Sequence, residues 1–414
     1  MWLFALSHFV SSPPPNQKKA PHSSKYALSM PLFTVPFQYR DQDIWLPVGV
    51  NGGRPVLFLL DTGSELTLAD PLIVKNVTGG RPFQIHELSG SSPATLAVFD
   101  SVKIAGATIS KVKGAVAPLA AMRRLTGRPA YGVIGYSLLH RYAIQIDYQK
   151  QVIRFWKPGT FAQAAMVPGA IRLPLIRANI DRYSISAQVG DDKDRQWLFV
   201  IDTGFSGFIS IQSDIAHRTG LLDAGTVRVT AMEKGLNNPF IVQKIRASLI
   251  RIGSVKLVGR VVQIDPDNHF APNGLIGNRF LQNYRVTIDP GTGWMWLDRV
   301  TRDEQHDLAA RPKLGCDVAW VGGVWKVSYI APWSPAYYAG IEPGDVLLEV
   351  NGSPVGGTAD PLAFIPTQNP KVVGLELSRN GYVYSLWIKP SSPFTWSAPK
   401  PKVKPLQLDK RIIK

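Results

Sequence analysis

Two triplets in this 414-residue chain carry the chemistry of an acid–base pair: Asp61-Thr62-Gly63 and Asp202-Thr203-Gly204. Each closes a run of large apolar residues, Leu57-Phe58-Leu59-Leu60 before Asp61 and Leu198-Phe199-Val200-Ile201 before Asp202. A continuous apolar run reads as a strand buried on both faces. Asp-Thr-Gly at its end forces a turn, and glycine tolerates the close backbone approach. An aspartate then sits at the tip of a core strand, where an unpaired carboxylate is costly. Two such tips facing each other remove the problem, because carboxylates about 3 Å apart share one proton. The ionised partner can take a proton from water as the water attacks an amide carbonyl, while the protonated partner donates to the carbonyl oxygen. This chemistry needs neither a metal nor a covalent intermediate.

An internal repeat must position the two triplets. VLFLLDTGSE from Val56 aligns with WLFVIDTGFS from Trp197, setting Asp61 on Asp202 at an offset of 141. Downstream, GVIGYSLLHRYAIQID aligns with GLIGNRFLQNYRVTID at an offset of 142, setting Gly132, Gly135, Leu139, Tyr142 and Asp147 on Gly274, Gly277, Leu281, Tyr284 and Asp289. A weaker match, DSVKIAG (100–106) with ASLIRIG (247–253), lies between them at an offset of 147. One register held over this distance implies a duplicated unit of roughly 120–130 residues. Both copies are dense in β-branched and aromatic residues with Gly, Pro, Asn and Asp breaks, so the units read as mainly β. Single helical turns are expected only after each Gly motif, at Ser137–Tyr142 and Arg279–Tyr284. One such aspartate is as readily a turn residue capping a strand; two in register, each with its Gly motif, are a much stronger signal.

At this point the residues resemble a known family. Apolar-apolar-Asp-Thr-Gly with a later apolar-apolar-Gly is similar to the aspartic peptidases, closest to the retroviral-type lobe of bacterial single-chain proteins that are often joined to a PDZ domain. The resemblance covers residues 31–157 and 172–298. It implies two homologous β-barrel lobes, with Asp61 and Asp202 as catalytic dyad and Thr62, Gly63, Ser64, Thr203 and Gly204 as its support. Thr62 and Thr203 would hydrogen-bond across the lobe interface, and Val133-Ile134-Gly135 and Leu275-Ile276-Gly277 would brace the triplets. A polypeptide substrate would lie between the lobes as an added strand, under flaps at Phe83–Ser92 with Gly90 and Met232–Pro239 with Gly235. The sequence departs from the pattern at Phe205, where the family has a small residue. Ser64 could donate its hydroxyl to Asp61 and Phe205 has none to offer Asp202, although Ser206 could stand in; this predicts an asymmetric pair with Asp202 carrying the proton. The same departure leaves open a degenerate second site, and so a peptide-binding or scaffolding protein without activity.

Residues 313–390 resemble a bacterial PDZ domain through Ser334-Pro335-Ala336, Ala339-Gly340-Ile341, Gly344-Asp345 and Asn351-Gly352. The resemblance implies that Leu314-Gly315-Cys316 presents N–H groups to the carboxylate of a peptide C-terminus; a small structural domain without ligand is the other reading. Residues 1–30 read as a flexible segment or remnant signal, Met1–Val10 being apolar but short and without a basic leader. Residues 391–414 read as a basic flexible tail. The net charge of +16 lies partly in the first 40 residues (+4) and the last 24 (+5), leaving +7 for residues 41–390. That pattern fits solvated ends better than a built anionic interface.

Other chemistries find no support. Cys316 is the only cysteine, which excludes an intrachain disulfide and a cysteine metal site. The seven histidines show no metal-ligand spacing, and in 265–274 (DPDNHFAPNG) Ile276 stands where a calcium loop needs Glu. No cofactor motif, nucleic-acid motif or run of ~20 apolar residues occurs. The expectation is a monomer, with lobes pairing between chains as the alternative. The resemblance and the apolar start point to the bacterial periplasm or outside rather than the cytoplasm.

Overall fold

A computed structural model of the chain describes residues 30–74, 78–87, 90–161, 168–176, 181–191, 194–223, 228–234, 239–265, 273–300, 313–356, 361–364 and 372–395. The N-terminal segment before residue 30, the connection 301–312 and the tail from 396 lie outside them. Among the described residues no helix is long and apolar enough to cross a membrane.

The protein is mainly β. The first repeat begins with β1 (Phe33–Pro36), β2 (Gln38–Arg40), β3 (Asp43–Val50), β4 (Val56–Leu60) and β5 (Thr67–Ala69). It continues with β6 (Thr78–Glu87), β7 (Gly90–Ile104), β8 (Ala107–Val116), α1 (Ala120–Thr126), β9 (Ala130–Ile134) and α2 (Tyr136–Leu139), and ends with β10 (Ala143–Asp147) and β11 (Val152–Trp156). The second begins with β12 (Ile171–Pro174), β13 (Ser184–Val189), β14 (Trp197–Ile201), β15 (Ile209–Gln212), α3 (Ser213–Arg218) and β16 (Val229–Lys234). It continues with β17 (Pro239–Ile252), β18 (Val255–Asp265), β19 (Gly274–Ile276), α4 (Asn278–Leu281), β20 (Tyr284–Asp289) and β21 (Trp294–Arg299). The helical turns after the Gly motifs start one residue earlier than expected, and α1 and α3 are additional. Both are under eight residues, too short for a clear 3.6-residue period.

The repeat is a repeat of topology. The first lobe's sheet runs β2-β3-β4-β9-β5-β8-β7-β6 and the second's runs β13-β14-β19-β15-β18-β17-β16. In each, the strand before the triplet pairs in parallel with the strand of the Gly motif: β4 with β9 and β14 with β19. Parallel central strands are covered on both faces, and the last three residues of β4 and of β14 are buried accordingly.

A third sheet, β1-β11-β10-β20-β21-β12, takes three strands from each lobe. At its centre β10 runs antiparallel to β20, with Ile144 opposite Ile288, Gln145 opposite Thr287 and Ile146 opposite Val286. Gln145 and Thr287 are equivalent positions of the repeat, so the axis relating the lobes passes between them, where the Gln145 amide donates to Thr287 Oγ1 at 3.0 Å. One hydrophobic core continues through both lobes, from Val35 and Phe58 to Phe199 and Leu297. The lobes are therefore a single body with one buried seam.

The C-terminal unit has its own core around Leu314, Trp325, Val327, Leu347 and Leu375. Its sheet runs β22 (Cys316–Val321), β23 (Val324–Ile330), β24 (Val346–Val350), β26 (Val373–Arg379) and β27 (Tyr382–Ile388), with β25 (Ser353–Pro354) beside β24. Helix α5 (Pro335–Tyr338) is capped by the residue before it: Ser334 Oγ accepts the Tyr337 N–H at 3.1 Å, and Pro335 occupies the first turn.

Candidate active site

Backbone bonding fixes each triplet before any side chain acts. The Asp61 N–H donates to Ile134 O and the Asp202 N–H to Ile276 O, both at 3.0 Å, tying each aspartate to the Gly-motif strand beside it. The turn that follows is held from the same side: Tyr136 N–H donates to Ser64 O and Asn278 N–H to Phe205 O. A methyl group on Gly135 would lie 2.2 Å from Leu66 O, and one on Gly277 would lie 2.4 Å from Gly207 O. Only a residue without a side chain lets this brace close.

The two tips meet. Thr62 N–H donates to Thr203 Oγ1 at 3.1 Å and Thr203 N–H donates to Thr62 Oγ1 at 3.0 Å. Each hydroxyl in turn donates across the seam, Thr62 to Ile201 O at 2.6 Å and Thr203 to Leu60 O at 2.9 Å. Both threonines are fully buried, so these four bonds carry the full weight of satisfying buried polar groups. They bring the Asp61 and Asp202 carboxyls into hydrogen-bond contact. Gly63 N–H and Ser64 N–H both donate to Asp61 Oδ1 at 2.9 Å; Gly204 N–H and Phe205 N–H donate to Asp202 Oδ1 at 2.8 and 3.1 Å.

The protonation states follow from this surrounding. Burial first, and then the charge of Asp202, hold Asp61 well above the ordinary carboxylate range despite two backbone donors. Burial also raises Asp202, but the Gly204 N–H, its hydrogen bond with Asp61 and the positive charge of Arg182 favour its ionised form. Both carboxyls are thus held above the ordinary range as one coupled pair that shares a proton.

This corrects the sequence expectation in one respect. The Ser64 hydroxyl does not reach Asp61; it donates to Leu66 O at 2.8 Å, because the backbone N–H groups already occupy the carboxylate oxygen and the turn leaves a carbonyl in reach. Phe205 gives Asp202 the same backbone support that Ser64 gives Asp61, and its ring folds back over Gly207 and Gly277 of its own lobe.

Several site residues gave no sequence signal. Asn278 is completely buried; its amide donates to Thr203 O at 2.6 Å and Gln42 O at 2.7 Å and accepts from the Tyr148 hydroxyl at 2.7 Å. It ties the second triplet to the β2–β3 turn of the first lobe, where Asp41 and Gln42 both have positive φ (55° and 70°), as a two-residue hairpin turn of the first primed type requires. Tyr39 adds a bridge from the same hairpin to Gln282 at 3.1 Å. In the mirrored contact the residues differ: Tyr136 packs edge-on against Tyr183 of the second lobe with ring centroids 5.0 Å apart, and Arg182 pairs with Glu65 at 3.4 Å. Position in the repeat offers one clue to Asn278, which directly follows Gly277.

Gly90 lies at the exposed tip of the β6–β7 hairpin, opposite Glu87, with φ of 128°. Ile85 and Ala94 of that hairpin and Leu66 beside the first triplet turn pack against the same buried cluster. In the second lobe β16 and β17 pair up to Lys234 opposite Pro239, and Gly235 lies outside the described residues. In the C-terminal unit Leu314 O accepts the Ala336 N–H and Gly315 O accepts the Ala331 N–H, both at 2.8 Å. With both carbonyls turned inward, the planar trans peptide aims the N–H groups of Gly315 and Cys316 the other way. Strand β22 has β23 on one side and no strand on the other among the described residues. No cluster of His, Cys, Asp and Glu suited to a metal occurs among the described residues.

Residues 46–138 match the family model described as an aspartyl protease, and residues 326–379 match a PDZ domain model. The chain therefore contains an aspartyl protease domain and, C-terminal to it, a PDZ domain. The second triplet lies outside the matched residues; its likeness to the first rests on the shared strand order and the mirrored bonds. No curated protein matches the chain.

Proposed function

We propose that the chain is an aspartic endopeptidase with Asp61 and Asp202 as its catalytic residues. The observation that supports this most is the contact of two carboxyls at mirrored strand tips of one chain, held by reciprocal threonine bonds. In this reading Asp202 is the general base. It takes a proton from a water poised between the carboxyls, and the water oxygen bonds to the scissile carbonyl carbon. Asp61 donates its proton to the carbonyl oxygen, giving a neutral gem-diol. Asp202 then passes its proton to the amide nitrogen as the C–N bond breaks, and Asp61 recovers a hydroxyl proton, restoring the starting state. The substrate would lie as an added strand below the β6–β7 and β16–β17 hairpins, and the PDZ domain would hold a peptide C-terminus along β22.

The test is cleavage of a diverse peptide library from pH 3 to 8 by the wild type, Asp61→Asn and Asp202→Asn, read by mass spectrometry. Loss of cleavage in both folded variants supports the proposal. Cleavage that survives either substitution sinks it. A wild type that binds peptides and cuts none at any pH would establish the scaffolding alternative.

A further inference from the structure

The seam between the lobes is symmetric in its hydrogen bonds and asymmetric in its charge. Trp45 lies opposite Leu59, two residues before Asp61, and Ser184 lies opposite Val200, two residues before Asp202. The axis relating the lobes thus superposes Trp45 on Ser184, and Asp43 on Arg182. Counting four residues on from each aspartate superposes Glu65 on Ser206. The Arg182–Glu65 ion pair therefore has at its mirror position an aspartate and a serine, which form no such pair.

Arg182 is well placed to matter. Its side chain is only 17% exposed, and Glu65 of the opposite lobe anchors it at 3.4 Å. Its neighbour Tyr183 is buried against Tyr136 of α2, so the segment 182–183 is docked across the seam twice. The register that sets Ser184 opposite Val200, with the Ile201 N–H donating to Tyr183 O, brings Arg182 alongside Asp202; Glu65 reaches it from the other lobe, Tyr136 and Asp289 act on its neighbour Tyr183, and Asp43 and Arg279 act on Tyr39 in the other contact. A single buried cation beside one member of a proton-sharing pair stabilises the ionised form of that member.

We propose that Arg182, anchored on Glu65, is the positioning residue that decides which aspartate holds the shared proton, keeping it on Asp61 and leaving Asp202 as the base. This rests on the proposed peptidase reading for its kinetic consequence but not for its structural one. Two copies of a repeat would otherwise give two nearly equivalent carboxyls, and the roles of acid and base would be interchangeable. One arginine removes that degeneracy.

The experiment has two readouts on the full chain. Carboxyl-¹³C aspartate NMR, assigned through Asp61→Asn and Asp202→Asn, follows each carboxyl from pH 3 to 8 without any need for turnover. The pH–rate profile of peptide cleavage follows the consequence. In Arg182→Gln the Asp202 titration and the acidic limb of the profile should move up by about one pH unit or more, a loss of about tenfold in rate on that limb. Arg182→Lys, which keeps the charge, should restore most of the wild-type profile, and Glu65→Gln should give a smaller shift in the same direction. If Arg182→Gln leaves the Asp202 titration unmoved while lowering stability, Arg182 is a structural tie and the proposal falls. If Arg182→Gln does not fold, the neutral Arg182→Met decides: an Asp202 titration identical to wild type in that variant overturns the proposal. A protein that cleaves nothing but shows the NMR shift keeps this proposal and loses the peptidase reading.

Discussion

Gly63 of the first lobe lies against the Asp202 carboxyl of the second so closely that a methyl group on its Cα would be 2.4 Å from Asp202 Cγ; Gly204 stands in the same relation to Asp61. Each triplet glycine thus makes room for the opposite aspartate, not its own. Each Asp-Thr-Gly is thus shaped to fit the other, two strand tips of one chain in contact.

From this contact, Gly63→Ala and Gly204→Ala should each separate the carboxyls by the better part of an ångström. A misplacement of that size lowers the rate of a proximity-dependent reaction on the order of 100-fold. Peptide cleavage should fall by that factor while circular dichroism stays that of the wild type. Activity within a few-fold of wild type would show that the seam can relax around a methyl group.

Asn278 offers a test of the seam itself. Replacing it by Ala leaves Thr203 O, Gln42 O and the Tyr148 hydroxyl without their buried partner. Each unsatisfied group costs about 1–3 kcal/mol, so Asn278→Ala should lower the denaturant midpoint of the lobes strongly. Tyr148→Phe, which leaves only Asn278 Oδ1 without its donor, should cost less. Equal losses in the two variants would place the effect in packing.

The pair also makes a stability prediction with a definite sign. Burial holds the folded-state pKa of both aspartates above the unfolded value. A group raised in this way favours folding least once pH exceeds its folded pKa, so the pair opposes folding increasingly as pH rises through that window. Asp61→Asn should therefore raise the melting temperature at pH 7 and change it little at pH 3. A melting temperature lowered at both pH values would show that the carboxyl is a net structural asset.

Phe205→Ser should leave both limbs of the pH–rate profile where they are. Ser64, in the equivalent position, turns its hydroxyl to Leu66 O and gives Asp61 only its backbone N–H, which Phe205 already provides to Asp202. A shifted acidic limb would mean that the new hydroxyl reaches Asp202 after all.

Sequence alone determined the parts of this protein that are local or repeated. Apolar runs ending in Asp-Thr-Gly specify buried strands with a carboxylate at the tip, because alternation and turn chemistry act within a few residues. The 141–142-residue register specifies that there are two of them, and the pattern around Ser334-Pro335-Ala336 specifies the C-terminal unit. Helices α1 and α3 escaped because six or seven residues are too few to establish a period. Tertiary structure decided everything that depends on which surfaces face each other across the seam. It turned the Ser64 hydroxyl away, brought Arg182 to Glu65 over 117 residues of sequence, and put Asn278 between Thr203 and Gln42. Those contacts surround the pair, and a carboxyl's charge state answers to the burial and charges around it in space, neither of which is written in its neighbours along the chain.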